Sequence, residues 1–90
     1  MEGYSELAKI LICGNALVEG DRTAEYLARC VNVSAATVKR YLGELRHLGC
    51  QIVSRREGSG WVYRLENRGE VCKRLGLWLQ LEQERTLLDS

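Results

Sequence analysis

The chain contains no phenylalanine, no proline and only one histidine. Without phenylalanine, the interior has to be filled by leucine and valine together with two tryptophans and four tyrosines. Without proline, any kink has to come from glycine. The four cysteines, Cys13, Cys30, Cys50 and Cys72, stand 17, 20 and 22 residues apart, so no C-x-x-C pair exists and neither a zinc ribbon nor a thioredoxin-like motif is supported. Each sits among apolar neighbours, where a thiol behaves as a small hydrophobe, and they are read as neither disulfides nor metal ligands. No apolar run approaches the roughly 18 residues a membrane helix requires. The segment "LAKILICGNALV" is interrupted by Lys9 and lacks a basic leader and a small-residue cleavage site, so a cytoplasmic protein is expected. No carboxylate pair, Ser/His/Asp set, phosphate-cradling glycine loop or metal cluster is found. The expectation is therefore no enzyme, no cofactor, no metal and no small-molecule ligand. His47, alone near a helix end, reads as a solvated or dipole-satisfying residue.

An excess of charge of one sign is missing too: 13 basic against 12 acidic residues leave +1, far from the pI above about 9 usual for a nucleic-acid-binding domain. The distribution is uneven, however. Residues 1–30 carry three basic and five acidic groups, −2; residues 31–64 carry six and two, +4; residues 65–90 carry four and five, −1. The positive charge is in the middle third, and a local field can steer a ligand even when the total is near zero. Ninety residues, 46% hydrophobic and 28% charged, describe one small globular unit with a modest core.

Hydrophobic spacing divides that unit into elements. Tyr4, Leu7, Ile10, Leu11, Gly14, Leu17 and Val18 recur at steps of three and four, an amphipathic helix that either ends near Gly14-Asn15, the favoured reading, or continues to Glu19 with Gly20 after its C-terminus. Thr23 is placed to cap a second helix with Leu27, Ala28 and Val31 on its inner side. That helix should stop at Asn32, a residue that tolerates the left-handed conformation of a tight turn. Ser34 caps a third helix with Val38, Tyr41, Leu42, Leu45 and Leu48 as its apolar stripe and Gly49 at its C-terminal end. The period then changes from about 3.6 to 2. "CQIVSRREGSGWVYRL" reads as two strands around Glu57-Gly58-Ser59-Gly60, with Trp61, Tyr63 and Leu65 on one face and Val62 and Arg64 on the other. Asn67 with Glu70 resembles a capping pair opening a last helix. Val71, Leu75 and Trp78 follow one side of it, and Leu77, Leu81 and Leu88 another, so one apolar side is left for a partner.

The order helix, helix, turn, helix, hairpin, helix resembles the winged helix-turn-helix transcription regulators, particularly the small DNA-binding domains of biotin-repressor-like and DeoR-like proteins. Leu27, Ala28, Val31, Val33, Val38 and Tyr41 occupy the positions where that motif takes apolar or small residues. Ala28 is the small residue at the helix crossing, and "GSGWVYRL" looks like the glycine-containing wing and its aromatic-x-leucine strand. The resemblance spans about residues 7–65. It departs from the pattern at Asn32, where glycine is usual, and in the near-neutral charge. The fold expected is mainly α with a small β-hairpin: a winged helix-turn-helix over residues 1–66 and an additional C-terminal helix over residues 67–90 for dimerisation. The resemblance implies that the third helix enters the major groove by its N-terminal half while the wing touches backbone or minor groove.

The residues point to the same surface. With Val38, Leu42 and Leu45 turned inward, Ala35, Ala36, Lys39, Arg40 and Gly43 face outward. A groove about 12 Å wide admits a helix only if its leading side chains do not hold it off. Ser34, Ala35, Ala36 and Thr37 keep that edge low and offer backbone N–H groups to a phosphate. Lys39 and Arg40 reach base edges or phosphates, and Arg55, Arg56 and Ser59 of the hairpin contact backbone. Arg64 and Trp61 are read as strand-edge cover and packing. The expected function is a sequence-specific double-stranded DNA-binding regulator, a repressor acting by operator occupancy as a homodimer through Leu77, Leu81 and Leu88. Two rivals stand beside it: a winged-helix protein-interaction module without a DNA site, and a DNA-binding module of replication or recombination.

Overall fold

The computed structural model describes residues 4–89 and contains four helices and a three-stranded antiparallel sheet among them. The order is α1 (Glu6–Glu19), β1 (Arg22–Thr23), α2 (Ala24–Val31), α3 (Ala35–His47), β2 (Ile52–Glu57), β3 (Gly60–Leu65) and α4 (Arg68–Asp89). The expected fold class is thus the observed one: mainly helical, with a hairpin and a C-terminal helix.

Local chemistry sets most of the boundaries. Thr23 Oγ1 accepts the Tyr26 N–H at 3.1 Å and opens α2, and Ser34 Oγ accepts the Thr37 N–H at 3.1 Å and opens α3. Asn32 closes α2 in the left-handed region at φ 55°, ψ 55°, and the Val33 N–H behind it reaches Ala28 O at 3.0 Å. Gly49 has φ 102°, and Cys50 N–H donates back to Leu45 O at 3.0 Å, satisfying a carbonyl at the end of α3.

The first helix does not stop at Gly14 but runs to Glu19, with Gly20 beyond it. A Cβ on Gly14 would lie 3.0 Å from Leu45 Cδ2 and 3.2 Å from Leu75 Cδ2, so this glycine is the notch where α1 meets α3 and α4. Asn15 stays helical because its amide donates to Leu11 O at 2.9 Å and to Leu75 O at 3.4 Å. At the other end of the packing, Ser5 caps α1, accepting the Ala8 N–H, and its hydroxyl donates to Glu82 of α4.

The aromatic residues do not fill the interior as expected. Leu11, Leu17, Leu27, Leu42, Leu45, Leu65 and Leu75, with Val31, Val38 and Val71, are the large enclosed side chains. Tyr41 and Tyr63 are buried beside them, whereas Tyr4, Tyr26 and Trp61 are exposed and Trp78 is half-buried. Aliphatic side chains suffice for a core this small, and the amphipathic rings are left at its edges. Tyr4 and Leu7, read as inward-facing, lie outward instead.

The sheet order is β1-β3-β2. Ile52 pairs with Leu65 and Arg56 with Trp61 across the hairpin, while Arg22 and Thr23 pair with Tyr63 and Val62 on the other edge. The third strand had no signal, since two residues carry no periodicity. Asn67 does meet Glu70, at 3.2 Å, but its carbonyl oxygen accepts the Gln51 N–H at 2.9 Å instead of capping its own helix. Its amide also donates to Gly49 O at 2.9 Å, so Asn67 ties the start of α4 to the link between α3 and β2.

Candidate nucleic-acid interface

The pairing α2–Asn32–α3 holds α3 across α2, with Ala28 buried and Val38, Tyr41, Leu42 and Leu45 committed to the core. This leaves the expected outer face outward: Ser34, Ala36, Lys39 and Arg40 are exposed and Ala35, Thr37 and Gly43 half-buried. Ser34 and Thr37 hydroxyls lie 3.0 Å apart, which holds the leading turn flat. A Cβ at Gly43 would meet nothing within 4 Å, so packing within the domain does not require glycine there.

The cations expected at this surface separate into two kinds. Arg40 forms an ion pair with Glu6 of α1, and its guanidinium lies 5.4 Å from the Tyr41 ring centroid. The Glu6 carboxylate raises the Arg40 pKa, chiefly through that hydrogen bond. Arg55 bonds Asp21 at 2.8 Å and Glu57 at 3.0 Å. Asp21 in turn is 3.6 Å from Arg68, and its carboxyl is held below the usual carboxylate range, first by the Arg55 hydrogen bond and then by the nearby charges of Arg55, Arg64 and Arg68. Lys39, by contrast, has no carboxylate partner among the described residues. Arg56 stands over the Trp61 ring at 5.4 Å, a contact that orients the guanidinium without neutralising it.

Register explains the division. Directly opposed residues of an antiparallel pair point to the same side. Arg56, Trp61, Tyr63 and Leu65 share the face that covers the core, and Arg55 with Arg64 shares the reverse face. The structure therefore brings Lys39, Ser59 and Trp61 together around one cleft between α3 and the hairpin, and Arg56 joins them through Trp61. It places Arg55 on the far side of the sheet and Arg40 toward α1. Trp61, read as packing, is 44% exposed. Glu6, Asp21 and Glu25, which sequence reading did not single out, are the carboxylates that shape the field here. Glu6 and Asp21 are revealed only by pairing across 34 residues, with Arg40 and Arg55, and Glu25 only by its place in the lining of the cleft, and no local pattern signals either.

On α4, Leu77, Leu81 and Leu88 are 54%, 51% and 86% exposed. Leu81 also lines a cavity of about 350 Å³ with Leu7, Leu11, Leu48 and Trp78. Glu82 sits at its edge, buried, with Arg85 and Ser5 donating to its carboxylate and lowering its pKa to about 2. The four cysteines are free thiols, and burial, with Cys30 nearby, pushes Cys13 up to about 12. Among the described residues no three His, Cys, Asp or Glu side chains are placed to hold a metal ion, and no helix is long and apolar enough to cross a membrane.

Two helices joined at a left-handed asparagine, the second presenting a low outer edge beside a two-stranded wing, define a DNA-binding helix-turn-helix domain. Residues 6–61 match the family model of the HTH domain, and the chain belongs to that helix-turn-helix family. The match runs from α1 into β3 and leaves α4 outside it. No curated protein and no solved structure matches the chain.

Proposed function

We propose that this chain is a sequence-specific double-stranded DNA-binding transcriptional regulator, a non-catalytic cytoplasmic repressor that acts as a homodimer by occupying its operator. The observation that supports this reading best is Gly43. A glycine in a helix interior costs about 1 kcal/mol relative to alanine. Gly43 has open space over its Cα, so the fold itself gains nothing from the missing side chain. A low outer surface from Ala35 through Lys39 to Gly43 is what a helix needs to sit inside a duplex groove.

The dimer follows from α4. Leu77, Leu81 and Leu88 form an exposed apolar row, and Leu7 beside them widens it. Pairing two copies through this row would present two α3 helices to half-sites one or more helical turns apart. The domain then divides as residues 1–66 for DNA and residues 67–90 for assembly, although Val71 and Leu75 also close the core.

The test is a titration of duplexes from the gene's own upstream region at several salt concentrations. Binding should weaken steeply with salt. Lys39→Ala and Arg40→Ala should reduce it, and a base preference should be lost with Arg40. A flat salt response together with undiminished binding by both variants would defeat the proposal and favour a protein-interaction module.

A further inference from the structure

The face of the hairpin that covers the core extends past it. Leu65 and Tyr63 are buried on this face, but Trp61, two residues nearer the turn, is 44% exposed. At that level the face no longer meets the core and instead forms one wall of a cleft of about 130 Å³. Ala35 and Lys39 of α3 line it from the other side, with Ser59 of the turn and the exposed Glu25 of α2 also in the lining. An indole left 44% exposed would gain by further burial. Arg56, its cross-strand partner, lies over the ring at 5.4 Å.

We infer that Trp61 and Arg56 form a grip for one nucleotide of a DNA strand, the indole packing on the deoxyribose while Arg56 and Lys39 hold the flanking phosphates. This rests on the regulator reading above. With α3 in a major groove and the wing over the neighbouring minor groove, the strand that separates the two grooves passes between α3 and the hairpin, which is where the cleft lies. Three features fit a backbone strand. An apolar ring suits the C–H face of a sugar. Lys39 and Arg56, two cations without carboxylate partners among the described residues, suit phosphates, unlike Arg40 and Arg55. Glu25, also in the lining, repels a phosphate from its own side of the cleft and favours one held at Lys39 and Arg56. Such contacts set register without reading sequence, so Trp61 is a positioning residue that fixes how deeply α3 enters.

The chain has two tryptophans, Trp61 and Trp78, so 5-fluorotryptophan labelling yields two fluorine resonances, with Trp61 assigned by Trp61→Phe. The full-length chain is titrated with a fluorescein-labelled 30-base-pair duplex of mixed sequence at low salt, reading DNA anisotropy and fluorine shifts together. The expected result is a shift of the Trp61 resonance alone, with the same midpoint as the anisotropy. Trp61→Ala and Arg56→Ala should each weaken binding about five- to twentyfold, by an equal factor for unrelated duplexes, and Trp61→Phe should recover most of the loss. Anisotropy that rises while the Trp61 resonance stays fixed overturns the grip and leaves the regulator reading intact. A larger Trp61 shift with a single strand of the same length overturns it in favour of base stacking. Absence of any anisotropy change removes the regulator reading, and the grip with it.

Discussion

Replacing Gly14 by alanine sets two known effects of opposite sign against each other. Glycine to alanine in a helix interior stabilises by about 1 kcal/mol. The added methyl would lie 3.0 Å from Leu45 Cδ2 and 3.2 and 3.3 Å from the two methyl carbons of Leu75. Forcing a methyl group into a packed core costs about 1–3 kcal/mol. Leu45 and Leu75 are both fully enclosed, so neither can swing into solvent, and crowding should win by about 1 kcal/mol. Leu75→Ala alone removes a buried side chain and should cost about 2–5 kcal/mol. In the double variant the new methyl occupies part of the space Leu75 vacated. Its cost should therefore fall short of the sum of the single costs by about 1 kcal/mol, within the range seen for contacting residues. The assay is urea unfolding followed by far-UV circular dichroism for all four proteins at one protomer concentration, because dimerisation would make stability concentration-dependent. A Gly14→Ala chain more stable than the parent, or costs that add within about 0.3 kcal/mol, would refute the claim that α1, α3 and α4 meet at this notch.

Removing the Glu6 charge should free Arg40 for phosphate. Glu6→Gln is expected to tighten duplex binding about three- to tenfold and steepen its salt dependence by about 0.9 per protomer, while thermal stability falls slightly because a first-turn carboxylate is lost. An unchanged salt slope would show that Arg40 stays off the DNA. Glu82 provides a pH test. Its carboxyl is lowered from 4.5 to about 2, so its contribution is fully present above about 4.5 and is lost as pH falls toward 2. Glu82→Gln should be less stable at neutral pH and should show a flatter stability curve across that acid range; a curve parallel to the parent's would contradict the assignment. Finally, Leu77→Glu with Leu81→Glu should convert a dimer to a monomer in sedimentation at micromolar concentration and weaken operator binding at least tenfold. A parent chain that already sediments as a monomer would sink the homodimer.

What could be read along the chain was whatever depends on neighbours a few residues apart. Thr23 and Ser34 as caps, Asn32 as the left-handed stop, Gly49 at the helix end and the Gly58-Ser59 turn all act within four residues, and each lies where local chemistry put it. The outer face of α3 was legible for the same reason, since a 3.6 period with an apolar stripe assigns the opposite side by subtraction. Gly14 was misread because a helix-ending glycine and a glycine at a tight helix crossing look alike until the crossing helices are in place. Trp61 and the aromatic fill failed similarly. Composition tells which side chains are large, but not which of them the finished domain has room to cover.

Periodicity and capping in the sequence determined the helices, the hairpin and the low edge of α3, and the resemblance to winged helix-turn-helix regulators supplied their arrangement. Only tertiary structure decided which cations remain available. Glu6 meets Arg40 and Asp21 meets Arg55 across 34 residues, while Lys39, Trp61 and Arg56 gather around a single cleft. Charge partnership depends on distance in space, and between residues far apart in the chain the fold alone sets that distance.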